Sequence, residues 1–163
     1  MNKIYFDLDG VLANFEKAVV ETVKIHYWDR KTDKYWHILD KVPGLYAGLE
    51  LLPSSLAMFN LVLDKHGPGV VEVLTGLPKP TGFLSTAAND KKNWVHAMVN
   101  ANVQTNVTNG GRYKYKYLEE NPGALLIDDY DRNIKLWIEH GGIGILHTDP
   151  ASTIEKLKLL KLL

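Results

Sequence analysis

Two aspartates one residue apart, Asp7 and Asp9 in the segment DLDGVL, are the first side chains whose types and spacing could do chemistry. In an extended strand, residues two apart project the same way, so both carboxylates would leave a strand end together, with Gly10 permitting the sharp exit. Two charges about 4 Å apart at an effective dielectric near 20 repel by roughly 4 kcal/mol, so the pair needs a shared proton, a cation or solvent between its members. Simple capping of a strand end is the ordinary alternative. An EF-hand loop also begins D-x-D, but Val11, Leu12 and Ala18 stand where its oxygen ligands and turn glycine belong. A second acidic pair, Asp128 and Asp129, ends the run ALLIDD. If both runs lie in one parallel sheet, Asp7, Asp9, Asp128 and Asp129 share an edge, where oxygen donors suit a hard cation, Mg²⁺ foremost. Asp131 is read as a cap on the helix that follows. A third run ends VLTG, placing the Thr75 hydroxyl and the Gly76 N–H where they could donate to phosphate oxygens, although Thr-Gly alone is an ordinary turn.

These groups need elements to position them. Short β-rich runs occur at 3–7 (KIYFD), 69–75 (GVVEVLT), 102–108 (NVQTNVT), 124–128 (ALLID) and 143–147 (IGILH), the last four following Gly, Pro or Asn punctuation or leading into it. Between them lie helical patterns at about 13–26, 55–65, 90–101, 113–121, 130–141 and 152–163, the last with Ser152 and Glu155 in capping-box spacing. Such alternation predicts an α/β, Rossmann-like parallel sheet of five strands flanked by helices, with active groups at the C-terminal strand ends. The interval 28–52 carries helical fragments but no strand. It reads as a small helical cap within one domain spanning 1–163, the cap taking in about 15–52 and overhanging the sheet edge, where a lid can select substrates and exclude water. Trp28, Tyr35, Trp36 and Tyr46 crowd this interval, either as the cap's own small core or, for one or two of them, as a face for a planar ligand.

Composition narrows the chemistry. The 163 residues carry 19 Lys plus Arg against 19 Asp plus Glu, and zero net charge argues against a broad nucleic-acid or anionic-membrane surface. With no cysteine there is no disulfide, zinc-thiolate site, iron–sulfur cluster or thiol nucleophile. The six histidines show no paired ligand spacing, and only His147 falls near the expected edge. No GxGxxG or P-loop pattern is present, so dinucleotide and P-loop readings fail. The opening MNKIYFDLDG sets acids where a signal peptide would be apolar, and no run reaches membrane-spanning length, so a cytoplasmic location is expected. The leucine-rich C-terminal helix leaves both monomer and homodimer open.

In order along the chain, DLDGVLANF, VLTG, a lysine before the fourth strand and LLIDDYDRN resemble the four motifs of the haloacid dehalogenase superfamily of phosphatases, more closely its branch of 5'-nucleotidases and deoxyribonucleotidases. The resemblance spans nearly the whole chain. It implies that Asp7 attacks phosphorus to form an aspartyl-phosphate, and that Asp9 protonates the leaving oxygen and then activates water. It further implies that Asp7, the backbone carbonyl of Asp9 and Asp128 hold Mg²⁺ with support from Asp129, and that Thr75, Gly76 and a lysine bind the phosphoryl oxygens. That lysine is Lys114, with Lys116 as the fallback, since residues two apart on a helix face different ways. Lys91, three residues before Trp94, resembles a further phosphate-contacting lysine, the alternative being a solvated first-turn residue. Phe15 matches a position where this branch packs an aromatic against the nucleoside, and Trp28, Trp36 and Tyr46 are candidates for the same pocket. Tyr130 departs from the pattern, standing where an arginine is common in relatives.

The expected function is Mg²⁺-dependent hydrolysis of a small phosphate monoester, a nucleoside or deoxynucleoside 5'-monophosphate, with no membrane and no extended nucleic acid as partner. The same chemistry on another small phosphate ester, and a catalytically silent binding protein on the same fold, are the alternatives.

Overall fold

A computed structural model describes residues 2–163. The five β-rich runs form one sheet of order β3-β2-β1-β4-β5, every neighbouring pair parallel. The strands are β1 (Ile4–Phe6), β2 (Val71–Gly76), β3 (Thr105–Thr108), β4 (Leu125–Asp128) and β5 (Ile143–Leu146). Both faces of the sheet are covered, so β1, β2 and β4 are buried almost without interruption, Glu72 of β2 included, rather than at every second residue. On one face Ile4, Phe6, Val71, Val73, Leu125 and Ile127 share a core with helices α3 (Pro53–His66), α4 (Ala87–Met98) and α6 (Pro150–Leu159). On the other, Tyr5, Leu74 and Leu126 meet α5 (Asp131–Glu139) and a 3₁₀ segment, Gly111–Leu118. Phe6 lies opposite Val73 on β2 and Ile127 on β4, so the residues that follow all three strands emerge at one edge. The chain turns back across β1 between β3 and β4, and such a reversal opens a crevice at the C-terminal strand ends.

Local chemistry accounts for the helix ends and for three departures from the sequence reading. Helix α1 (Phe15–Val23) starts two residues later than its apolar pattern, because the Asn14 side chain caps it by accepting from the Lys17 N–H at 3.2 Å. Residues 113–121 do not form an α-helix. Their stretch is the 3₁₀ segment, entered through Gly110 at φ +112°. Ser152 is not a cap: Asp149 accepts from the Ser152 N–H at 2.8 Å, and Pro150 opens α6. Asp131 is likewise the first residue of α5 rather than its cap.

Between α1 and α3 the chain forms one short helix, α2 (Trp36–Leu39), among turns. It returns beside the first motif, where Asn14 N–H donates to Glu50 O and Leu52 N–H to Leu12 O. Trp94 on α4 donates its indole N–H to Leu49 O at 2.9 Å in a buried contact, tying this segment to the helix that carries Lys91. Among the described residues, no helix is long and apolar enough to cross a membrane. Trp94→Phe leaves the Leu49 carbonyl without its donor and is expected to lower stability by about 1–3 kcal/mol, measured by urea unfolding.

Candidate active site

The site is built from residues at or just past the C-terminal ends of β1, β2 and β4. Strand alternation sets Asp7 and Asp128 on the sheet face that carries the 3₁₀ segment, and Lys114 rises from that segment between them. Its Nζ lies 2.7 Å from Asp7 Oδ1 and 2.7 Å from Asp128 Oδ2, and the side chain is 1% exposed. Burial alone would discharge this ammonium, but Asp128 and Asp7 reverse the effect and hold it at about 12. Lys116, the fallback, is exposed, with its ammonium over the Tyr113 ring. Asp7 Oδ1 also accepts from the Leu8 N–H at 2.7 Å, while Oδ2 accepts no hydrogen bond among the described residues. Asn133 and the Tyr130 N–H complete the shell of Asp128, the amide nitrogen at 3.0 and 3.3 Å from its two oxygens.

Asp7 and Asp9 do not leave the strand side by side. The strand stops at Phe6, the chain turns, and Asp9 reaches a different cation, Lys91 on α4, at 2.6 Å. Separate neutralisation of the two carboxylates lowers their repulsion. Helix α4 begins at Ala87, one turn earlier than the sequence pattern, so Lys91 lies in its second turn; on the same face as Ala87, Trp94 and Val95, it is fully enclosed rather than solvated. Its Nζ donates to Thr75 Oγ1 at 3.0 Å and Gly76 O at 2.7 Å, and lies 4.4 Å from the centre of the Tyr46 ring. Asp9 Oδ1 is buried with no partner among the described residues. Burial and the neighbouring Asp7 push the Asp9 carboxyl up, against the pull of Lys91.

Asp129 is held by Arg30, which sends both terminal nitrogens to its two oxygens across 99 residues of sequence, one contact at 2.7 Å. Burial, with the charges of Asp7 and Asp128 adding to it, raises the Asp129 carboxyl to about 7 even against the pull of Arg30. Gly10 makes this pair possible. Its φ is +79°, and a Cβ there would overlap both the Asp129 carboxylate and the Arg30 guanidinium. Gly76 is needed for a second close approach, since a Cβ would strike the backbone of Gly110 and Gly111. Asp7, Asp128 and Asp129 each offer an oxygen within 4.8 Å of the others, a hard donor set that fits Mg²⁺. The Asp9 side chain is outside that group.

A cleft of about 860 Å³ opens over this edge. Asp7, Asp9, Gly76 and Lys114 line it, whereas Thr75 and Lys91 lie beneath its surface. Phe15, Trp28, Trp36 and Tyr46 line its other wall and pack on one another. Phe15 is parallel to Tyr46 at 5.4 Å, edge-on to Trp28 at 5.1 Å and stacked with Trp36 at 6.2 Å. Trp28, Trp36 and Tyr46 thus pack with Phe15 as a small core that also forms one side of the cleft, whereas Tyr35 does not line it. His147 is buried against Thr153 Oγ1 at 2.8 Å, and burial lowers its pKa. Arg30 and Asn133 were not singled out from sequence. Asn133 carries a usable signal, one turn into the helix after the acidic pair, but nothing local marks Arg30.

No family model and no curated protein matches this sequence. Among solved structures, the crystal structure of a hydrolase from Streptococcus pneumoniae TIGR4 is similar over 98% of this chain and 98% of that chain, with a TM-score of 0.54 and 12% identity. That likeness establishes a shared fold.

Lys114→Met would leave Asp7 and Asp128 buried without their common cation. Expected is a loss of about 3–5 kcal/mol in urea unfolding followed by circular dichroism.

Proposed function

We propose that the protein is a Mg²⁺-dependent phosphomonoesterase that works through an aspartyl-phosphate, with a nucleoside 5'-monophosphate as its substrate class. The observation that carries this reading is the division of labour between the paired aspartates. Asp7 has one oxygen fixed by Lys114 and the Leu8 N–H and the other unengaged in a carboxylate that lines the cleft. Asp9 has a buried, unpartnered oxygen and a raised pKa. The first is an oriented nucleophile; the second, whose carboxyl is pushed up by burial, is the one placed to carry the proton.

In the first step the free oxygen of Asp7 bonds to phosphorus as the ester P–O bond breaks, and Asp9 gives its proton to the departing alcohol. In the second, the Asp9 carboxylate takes a proton from water, whose oxygen attacks phosphorus, releasing inorganic phosphate and restoring Asp7. A cation held by Asp7 and Asp128, with Asp129 in support, would offset the repulsion between carboxylate and phosphate. Lys114 keeps Asp7 aimed and adds positive charge where the phosphoryl group would sit, while Lys91 holds Asp9 from beneath and is itself anchored on the Thr75 hydroxyl. Residues about 15–52 act as the cap, and their aromatic wall suits the flat face of a nucleobase. The resemblance of the four motifs to haloacid dehalogenase phosphatases supports the same assignment, and the hydrolase from Streptococcus pneumoniae shares the fold.

Two outcomes are expected with 4-nitrophenyl phosphate. Chelation of divalent cations abolishes turnover and added Mg²⁺ restores it. Asp7→Asn lowers kcat by at least about 10³-fold, a barrier raised by about 4 kcal/mol, with the circular dichroism spectrum unchanged. Full activity in Asp7→Asn would sink the mechanism, and a panel of phosphate esters without a nucleotide among the best substrates would remove the substrate class.

A further inference from the structure

The cations at the floor of the cleft are paired: Lys114 with Asp7 and Asp128, Lys91 with Asp9 and Arg30 with Asp129. Three others at its mouth are not. Lys79 on the loop after β2, Arg112 in the first turn of the 3₁₀ segment and Arg132 in the first turn of α5 all line the cleft. All three are exposed, and none has an acidic partner among the described residues. The Arg112 guanidinium lies 4.7 Å over the Tyr113 ring, which props it at the rim. Gly111 packs against the Asn133 amide so closely that a Cβ would overlap it, so Arg112 and Arg132 issue from touching segments. Helix α5 also presents its N-terminus here with no side-chain cap. Against these stands one rim acid, Asp33. A chain of zero net charge has thus gathered unpaired cations from three elements around one opening.

A single phosphoryl group at Asp7 would not reach the mouth of a cleft this large, which lies near the top of the range of about 300–1,000 Å³ for small-molecule sites. Guanidinium forks match phosphate oxygens two at a time. We propose that Lys79, Arg112 and Arg132 bind a second phosphate on the substrate, so that the preferred ester is a nucleoside bisphosphate. The phosphate at Asp7 is hydrolysed, and the one at the rim keeps its ester bond and leaves with the product. The identity of the scissile group rests on the phosphatase reading above; the rim's preference for a doubly phosphorylated ligand does not.

The test compares the four deoxynucleoside 3',5'-bisphosphates with the matching 5'-monophosphates, in turnover by the wild type and in equilibrium binding to Asp7→Asn. Expected is at least about a tenfold preference for the bisphosphate of one base in both assays. The preference should collapse toward parity in Arg112→Ala/Arg132→Ala, and in the parent proteins as salt rises from about 0.05 to 0.5 M. Lys79→Ala serves as a second probe should the double variant fold poorly. Equal affinity for the two ligand classes, or a preference that survives the double variant, overturns the proposal. If 4-nitrophenyl phosphate is not hydrolysed yet the bisphosphate still binds preferentially, the phosphatase reading falls and the rim assignment stands.

Discussion

Four carboxylates at one sheet edge, three of them within 4.8 Å of one another, would drive the edge apart if left to themselves, and the fold is arranged around their neutralisation. Lys114 comes from the sheet face carrying the 3₁₀ segment, Lys91 from the opposite face on α4, and Arg30 from the turns between α1 and α2. Each cation therefore pins a different layer to the same few ångströms of backbone. The glycines that bring these layers together follow from the same constraint, since Gly10 clears the Asp129–Arg30 pair and Gly76 lets the loop after β2 meet the start of the 3₁₀ segment. Against four acids stand three cations, and the remaining negative charge is what a divalent ion would answer.

The sheet was legible because its strands are buried on both faces and broken by Gly, Pro and Asn, a pattern that survives without tertiary information. Helix types were less so. The repeat YKYKY alternates polar and aromatic residues and fits an α-helix on propensity, yet Gly110 enters at a positive φ and the chain tightens into 3₁₀ geometry. That geometry, not the helix rule used in the sequence argument, points Lys114 inward and leaves Lys116 exposed. Lys91 shares a helix face with Trp94 and Val95 wherever α4 begins, but a start at Ala87 moves it out of the solvated first turn and into the buried second turn. Arg30 had no local signal at all, because its partner is 99 residues away and the stretch of chain around Arg30 itself has little regular structure. Asp7 and Asp9 were found by spacing, but the spacing rule assumes a strand that continues, and this one stops at Phe6.

The division between floor and rim gives the cleft two electrostatic characters. At the floor each cation is paired with a carboxylate and held by buried contacts, which suits groups that must keep a fixed orientation through a reaction. At the rim the cations are exposed and unpaired, which suits recognition of a ligand arriving from water. The stacked aromatics between them offer apolar area without competing hydrogen bonds. A flat base flanked by phosphate fits that order of surfaces.

The central claim is that Asp7 becomes covalently phosphorylated. Stopping the wild-type enzyme with acid during turnover, reducing with borohydride and mapping the peptides by mass spectrometry tests it most directly, because an acyl phosphate is reduced to an alcohol. The account predicts homoserine at position 7. Turnover with no modified residue, or with the label at another carboxylate, would contradict it.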